Sequence, residues 1–204
     1  MSKIYLISPP KIDLPDFSKS LQLALKTGLV PVFQMRLKGY EDSEIIKISR
    51  ELKKICKDFG SLFILNDSYK LALEIGADGV HLGDQDGNIA EIKKISPENF
   101  IIGTSCYDSR HLAIESAEHG ADYISFGAFF QSQTKNSKGK PTTEILEWAY
   151  EILDLPIVAI GGITDKNYQT LFKADFIAVI SFIWQHPQGI TFALESLNTK
   201  RIYL

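Results

Sequence analysis

The stretch that decides the fold is residues 63–86, FILNDSYKLALEIGADGVHLGDQD. It opens with a short apolar run that stops at Asn66-Asp67, continues as a capped helical segment from Ser68 to Gly76, and closes with a second apolar run that leads to Asp86. The pattern predicts a β-α-β unit. Because a crossover helix brings the carboxyl ends of two parallel strands to the same edge of a sheet, both aspartates should face one cleft.

Two neighbouring carboxylates give the first hypothesis about function. No basic residue stands beside Asp67 or Asp86 in the sequence, so the two charges would repel each other. A divalent cation that prefers oxygen ligands relieves such repulsion. A cation site is therefore one interpretation of the pair, and a solvated loop carboxylate or a helix cap is the alternative for either residue alone.

Length and composition limit the classes of protein to consider. The chain has 204 residues, of which 45% are hydrophobic, which suits one full-sized core, and we expect residues 1–204 to form a single domain. A net charge of −3 with mixed signs argues against a nucleic-acid partner. The apolar run Ile4 to Ile7 is too short for a signal peptide or a membrane span, so we expect a soluble, cytoplasmic protein without a membrane partner.

The two cysteines and the oligomeric state add little. Cys56 and Cys106 are far apart and have no paired spacing, which supports neither a zinc site nor a disulfide framework. Each is best interpreted as a small buried side chain. The sequence leaves the oligomeric state open, with a homo-oligomer among the alternatives.

Short apolar runs alternate with longer amphipathic segments along the whole chain. The predicted strands are 4–8, 30–36, 62–66, 79–81, 101–105, 123–127, 157–160 and 177–181. The predicted helices are 17–27, 43–59, 68–75, 89–95, 109–119, 142–153, 165–172 and 189–197. Strict alternation of this kind predicts an α/β fold of the closed (β/α)₈ TIM-barrel type. The competing doubly wound sheet usually has a glycine-rich phosphate loop after an early strand, and none follows the first strand here.

Local signals predict several helix boundaries. Asp42 or Ser43 can cap the second helix, and Asp165 can cap the seventh. Gly76 and Gly120 suit the positions just after the third and fifth helices. In the second helix Ile45, Ile48, Leu52 and Ile55 share one stripe, which predicts a place on the outer ring of the barrel.

In a barrel, the residues that follow each strand meet at one rim. They comprise cations, hydroxyls, amides, glycines and two carboxylates: Gln34, Arg36, Lys38, Asn66, Asp67, Asp86, Ser105, Ser132, Thr134, Lys135, Gly161, Gly162, Ile180 and Ser181. Lysines and arginines with magnesium can neutralise the charge that develops on a diphosphate leaving group. The paired glycines and the end of the eighth strand coincide with the phosphate site common in these barrels. The rim is therefore predicted to bind a diphosphate and a separate monophosphate.

Several ordered motifs resemble the thiamine phosphate synthase family. The run Gln34-Met35-Arg36-Leu37-Lys38 is similar to the family's Gln-x-Arg-x-Lys, and Asn66-Asp67 is similar to its strand end. Further matches are 77–83 followed by Gln85-Asp86, then 102–105, 120–123, Thr134-Lys135 and 159–163. The resemblance extends from Val32 to Ile183.

The resemblance implies an activity and a set of residue roles. It implies that 4-amino-5-hydroxymethyl-2-methylpyrimidine diphosphate loses pyrophosphate and joins 4-methyl-5-(2-phosphoethyl)thiazole, giving thiamine phosphate. Asp67 and Asp86 would hold Mg²⁺. The pyrimidine diphosphate would be bound by Gln34, Arg36, Lys38, Asn66, Ser105 and Lys135, of which Arg36, Ser105 and Lys135 would be catalytic. The thiazole phosphate would be bound by Ser132, Thr134, Gly162, Ile180 and Ser181.

Two other functions stay open at this point. A thiazole tautomerase of similar fold would rely on a histidine where Tyr107 stands and would not need the two aspartates. A non-catalytic binder of thiamine precursors would keep the cavity without turnover. His81 lies inside a predicted strand, where a hydrogen-bonded core histidine is the favoured interpretation.

Overall fold

The computed structural model describes residues 2–131 and 139–197. Eight parallel strands pair in sequence order, and β8 pairs with β1 to close the barrel. The strands are β1 (Lys3–Ile7), β2 (Val32–Met35), β3 (Leu62–Asn66), β4 (Gly79–Leu82), β5 (Ile101–Tyr107), β6 (Tyr123–Gly127), β7 (Ile157–Ile160) and β8 (Phe176–Val179). The predicted (β/α)₈ barrel is confirmed.

Helices alternate with the strands and surround the barrel. They are α1 (Leu14–Leu25), α2 (Asp42–Asp58), α3 (Tyr69–Glu74), α4 (Ile89–Ile95), α5 (Arg110–Glu118), α6 (Glu144–Ile152), α7 (Ser181–Trp184) and α8 (Ile190–Ser196). A 3₁₀ helix, Tyr168–Leu171, lies between β7 and β8. In the described ranges, no helix combines the length and the apolar composition needed to cross a membrane.

The second helix forms as predicted, except at its cap. Ile48, Leu52 and Ile55 are buried on one side, facing the sheet. The N-cap is Glu41 rather than Asp42 or Ser43, because Glu41 and Glu44 each accept a hydrogen bond from the other residue's backbone N–H. This reciprocal pair satisfies two donors at the helix start.

The last quarter of the barrel differs from the prediction in two ways. The seventh helical segment is one short 3₁₀ turn that Asp165 does not cap. Instead, Asn167 accepts a hydrogen bond from the backbone of Thr164 and donates one to the carbonyl of Gly162. Strand β8 ends at Val179, and Ser181 begins the short helix α7. The expected extension of the strand to Ser181 is therefore wrong.

The barrel has an inner and an outer apolar core. The inner core fills the lower barrel and contains Tyr5, Ile7, Val32, Ile64, Tyr123, Val158 and Ala178. The outer core lies between the sheet and the helices, where Phe33, Phe63 and Phe126 are fully buried. Burial of one such side chain stabilises the fold by about 1.5–3 kcal/mol. Most of the buried apolar side chains belong to the outer core. The upper interior of the barrel is therefore not needed for apolar packing and can hold polar side chains.

An Ala-Asp pair before three of the even-numbered strands ties neighbouring strands together at the amino-terminal end of the barrel. We call these aspartates, Asp78, Asp122 and Asp175, the clamp aspartates. Each carboxylate accepts a hydrogen bond from a backbone N–H at the start of the preceding strand: from Phe63 at 2.7 Å, from Ile102 at 2.6 Å and from Ile157 at 2.8 Å. The clamp aspartates therefore fix the end of the barrel opposite the predicted site.

Candidate active site

A cavity of about 900 Å³ opens at the carboxyl ends of the strands. Barrels of this kind place their active sites at this face. Among the residues that line the cavity are Gln34, Arg36, Lys38, Asn66, Asp67, Asp86, Ser105, Gly162, Ile180 and Ser181. The predicted site residues Ser132, Thr134 and Lys135 lie outside the described residues. Every predicted site residue within the described ranges thus belongs to one cavity.

Asp67 and Asp86 lie together, as the β-α-β pattern predicts. Burial raises the pKa of the Asp86 carboxyl, and its hydrogen bond and charge repulsion with Asp67 raise it further. The backbone N–H of Gly83 partly offsets this by donating to Asp86 Oδ2 at 2.7 Å. The two carboxyl groups therefore share a negative region that attracts a cation.

Lys38 supplies a positive charge that is not apparent in the sequence around the aspartates. Lys38 follows β2 whereas Asp67 follows β3, and Lys38 Nζ forms an ion pair with Asp67 Oδ2. Both side chains are partly exposed. One ammonium group balances only one of the two carboxylates. The pair keeps a surplus negative charge that a metal ion can neutralise.

The donor set at the carboxylate pair fits magnesium. Within the described ranges no group of three or more His, Cys, Asp or Glu side chains is arranged to hold a metal. Mg²⁺ needs fewer protein ligands, since it is usually held by one or two carboxylates together with waters and substrate phosphates. Asp67 and Asp86 supply carboxylates of the required kind.

The backbone around Asp67 and Arg36 is fixed by contacts with neighbouring strands. Asp67 has a φ of +68°, which is uncommon for a residue with a side chain, and its N–H donates to the carbonyl of His81 at 2.8 Å. The N–H of Arg36 donates to Ser8 Oγ at 2.8 Å. These bonds hold the exits of β2 and β3 against β1 and β4, and so fix where both residues enter the cavity.

A chain of hydrogen bonds crosses the floor of the cavity. Gln34 Nε2 donates to the hydroxyl of Tyr5 at 3.2 Å, and that hydroxyl lies 2.7 Å from the hydroxyl of Tyr123. The Tyr123 hydroxyl lies 2.9 Å from His81 Nδ1, and His81 Nε2 lies 2.9 Å from Ser105 Oγ. Burial raises the pKa of both phenols, which keeps both hydroxyls protonated. We call these five side chains the floor chain.

The sequence predicted the two ends of the floor chain, Gln34 and Ser105, as site residues, but not its middle. His81 is hydrogen-bonded through both ring nitrogens, as expected of a core histidine, but it also lines the cavity. Tyr5 and Tyr123 were not recognised. The signal that could have found them is the inward alternation of β1 and β6, which places one phenol on each facing strand.

Gly103 makes room for Tyr123. A Cβ atom at Gly103 would lie 1.8 Å from Cζ of the Tyr123 ring, so only glycine fits at this point of β5. The ring then stacks on His81, with ring centroids 5.6 Å apart and planes inclined by 24°. The position of the histidine is therefore set by packing as well as by hydrogen bonds.

On the opposite side of the cavity, Gly161 and Gly162 bring bare backbone to the rim. Both have positive φ values, +107° and +62°. A Cβ atom at Gly162 would lie 2.4 Å from the carbonyl oxygen of Gln131, so a side chain there would collide with backbone. Ile180 and Ser181 line the cavity beside this pair. Of the residues predicted to form the monophosphate site, Gly162, Ile180 and Ser181 therefore line one cavity, whereas Ser132 and Thr134 lie outside the described residues.

Tyr107 and Asp84 meet at the rim above the carboxylates. The Tyr107 hydroxyl donates to Asp84 Oδ1 at 3.0 Å, and Tyr107 adopts a φ of +56°. Asp84 belongs to the loop that also carries Asp86. The tyrosine therefore links the end of β5 to the loop that holds one of the two predicted metal ligands.

The fold and the site together define a (β/α)₈ barrel whose cavity combines cations, paired carboxylates and a glycine-lined rim, features suited to phosphorylated substrates. A family model described as thiamine monophosphate synthase (TMP-TENI) matches residues 4–183. The chain belongs to this family.

Individual relatives agree with this assignment. The chain is 41% identical over 198 residues to the thiamine-phosphate synthase of Rhodospirillum centenum, with 96% of each chain covered. It is 44% identical over 190 residues to that of Erythrobacter litoralis, covering 90% of this chain and 88% of the relative. Among solved structures, thiamine phosphate pyrophosphorylase from Pyrococcus furiosus has a TM-score of 0.81 and 34% identity, with 96% of this chain and 93% of that chain covered.

Proposed function

We propose that this chain is a thiamine-phosphate synthase, a transferase that condenses the pyrimidine diphosphate with the thiazole phosphate to give thiamine phosphate and pyrophosphate. The observation that carries the proposal is the meeting, in one cavity, of the Asp67–Asp86 pair with Lys38 and of the Gly161-Gly162 backbone across from them. This arrangement suits one diphosphate and one monophosphate, which are the two phosphorylated groups of the reaction.

The diphosphate would lie beside the carboxylate pair. Arg36 and Lys38 line the same cavity and would offset the negative charge that builds up on the departing oxygens. Asp67 and Asp86 would hold Mg²⁺, which when bound neutralises diphosphate charge. Lys135 would add a further positive charge.

The pyrimidine would lie over the floor of the cavity. Gln34, Asn66 and Ser105 offer amide and hydroxyl groups there and would orient the ring. The bond between the pyrimidine methylene and the diphosphate oxygen breaks, and its electron pair leaves with pyrophosphate. The nitrogen lone pair of the thiazole then forms the new carbon–nitrogen bond. Because that lone pair is already free, the reaction needs leaving-group stabilisation and exclusion of water more than a general base.

The thiazole phosphate would bind at the glycine pair. Gly161 and Gly162, which carry no side chains of their own, line the cavity together with Ile180 and Ser181. Ser132 and Thr134 complete the set that the family motif implies. The cytoplasmic location, the single domain and the homo-oligomer stay predictions.

The test is an assay of pyrophosphate release by the purified chain. We expect release only when the pyrimidine diphosphate, the thiazole phosphate and Mg²⁺ are all present. Omitting each component in turn provides the controls. A folded preparation that releases no pyrophosphate under these conditions would contradict the proposal. Tautomer conversion of the thiazole, followed by ultraviolet absorbance, would then support the isomerase, and tight binding of the pyrimidine diphosphate without product would support the non-catalytic binder.

A further inference from the structure

The floor chain has a direction, because the Gln34 atom that contacts Tyr5 is the amide nitrogen, which can only donate. The amide nitrogen of Gln34 donates to the oxygen of Tyr5, at 3.2 Å. A phenol has one proton, so Tyr5 is left to donate that proton to Tyr123, 2.7 Å away. If Tyr123 donated to Tyr5 instead, the Tyr5 oxygen would accept two hydrogen bonds, and the Tyr5 proton would have no acceptor among these five side chains.

The same direction continues through the histidine. Tyr123 accepts from Tyr5 and therefore donates its own proton to His81 Nδ1, at 2.9 Å. In a neutral imidazole one nitrogen accepts and the other donates, so the proton of His81 lies on Nε2. Nε2 then donates to Ser105 Oγ, at 2.9 Å. The serine oxygen is used as an acceptor, and its own proton is directed elsewhere.

Packing keeps the histidine in this orientation. The His81 ring stacks on the ring of Tyr123, and the missing side chain of Gly103 gives that ring its place. Ser105 lines the cavity, and among the described residues its hydroxyl has no further side-chain hydrogen bond, so its proton can point toward a ligand. Two residues expected to touch the pyrimidine, Gln34 and Ser105, are thus connected through three side chains that sequence analysis did not place in the site.

We propose that His81 is a positioning residue that holds Ser105 with its hydroxyl proton aimed into the cavity, where it donates to an acceptor atom of the pyrimidine diphosphate. The inference rests on the proposed function for the identity of that ligand. The proposal requires one tautomer of His81, with the proton on Nε2, because the hydrogen bonds that run from Gln34 through the two phenols place a donor at Nδ1.

The first test observes the tautomer directly in the whole protein. Nuclear magnetic resonance of protein labelled with ¹⁵N-histidine distinguishes the Nε2–H from the Nδ1–H form, and the His81→Asn variant assigns the signals. We expect the Nε2–H form in the wild type. In Tyr123→Phe, which removes the donor to Nδ1, we expect a mixture of tautomers. An Nδ1–H tautomer in the wild type overturns the proposal.

The second test compares two substitutions that each keep one of the two hydrogen bonds made by the ring nitrogens of His81. His81→Gln can place an N–H near the position of Nε2, whereas His81→Asn is too short to reach Ser105. We expect His81→Asn to lower kcat/KM for the pyrimidine diphosphate by about 10- to 100-fold, the cost of losing one buried, aligned hydrogen bond. His81→Gln should keep kcat/KM for the pyrimidine diphosphate within roughly fivefold of the wild-type value, because its N–H can still donate to Ser105. KM for the thiazole phosphate should stay unchanged in both.

Controls separate this inference from the proposed function. His111 is exposed on α5. His111→Asn should leave kcat/KM for the pyrimidine diphosphate and KM for the thiazole phosphate unchanged. Equal losses in His81→Gln and His81→Asn would contradict the positioning role. A wild type that releases no pyrophosphate overturns the proposed function, whereas an active wild type with the Nδ1–H tautomer overturns only the role of His81.

Discussion

Replacing Asp86 with asparagine should make the metal-free protein more stable while it removes activity. The pKa of Asp86 is raised in the folded protein, first by burial and then by Asp67, so the fold holds this carboxyl proton more tightly than the unfolded chain does. The stability from that proton is present at low pH and is lost as the pH rises through the folded pKa. Asparagine has no charge to lose, so its advantage appears at neutral pH and vanishes in acid.

The gain is small because the site is open to water. Relief of repulsion between partly exposed charges amounts to about 0.5 kcal/mol. In a protein of this size that corresponds to an increase in Tm of about 1–2 °C. The asparagine oxygen can still accept the hydrogen bond from Gly83, so no other contact of the carboxylate has to be lost. Thermal denaturation in the presence of a chelator measures the effect.

Activity should change in the opposite direction. If Asp86 holds Mg²⁺, the variant loses the stabilisation that added Mg²⁺ gives the wild type, and its rate of pyrophosphate release falls by at least about 100-fold. The matched control is Asp58→Asn on the surface of α2, which removes one exposed carboxylate, paired with Lys54 at 3.3 Å. It should change neither quantity. A parallel loss of stability and activity in Asp86→Asn would show a structural role and refute the metal assignment.

Three further predictions test other parts of the molecule. Lys38→Met should raise the pKa of Asp86 further, because the charge of Lys38 lowers that pKa. The pH above which added Mg²⁺ raises the Tm should therefore move upward, and an unchanged pH dependence of this Tm increase would contradict the prediction. Gly103→Ala places a Cβ 1.8 Å from Tyr123 and should cost about 1–3 kcal/mol of unfolding free energy in urea titrations; a near-zero change would show that the ring can move. Asp122→Ala removes the acceptor of Ile102 N–H and the partner of Lys93, and should cost about 1–2 kcal/mol in the same titration while leaving KM values unchanged.

The sequence predicted the barrel well because each unit carries its own signal. In residues 63–86 the end of a strand, a helix and the next strand follow one another within one segment, and the same alternation continues to the end of the chain. The last units were harder. Between β7 and β8 the chain forms only a 3₁₀ turn held by Asn167, and α7 begins where a strand was expected to end. Such short helices lack the apolar periodicity on which the prediction depends.

The sequence predicted those site residues that lie at or just after the ends of strands. Asp67 follows β3 directly, Asp86 and Gly162 lie in the loops after β4 and β7, and the closed sheet brings all three to one rim. Tyr5 and Tyr123 lie within strands, and their meeting depends on the register of strands far apart in sequence. No local pattern reports that register. The pairing of Lys38 with Asp67 was hidden for the same reason, since the two residues belong to different β-α units.

The clamp aspartates have a consequence for the order in which the barrel folds. Asp78, Asp122 and Asp175 each close a loop within a single β-α-β unit, so these bonds can form at little entropic cost while the rest of the chain is still disordered. Closure of the whole barrel requires the distant contact in which Lys3 N–H reaches the carbonyl of Asp175, at 2.7 Å. We therefore expect local two-strand units to gain protection from hydrogen exchange first, and the seam between β1 and β8 to gain it last.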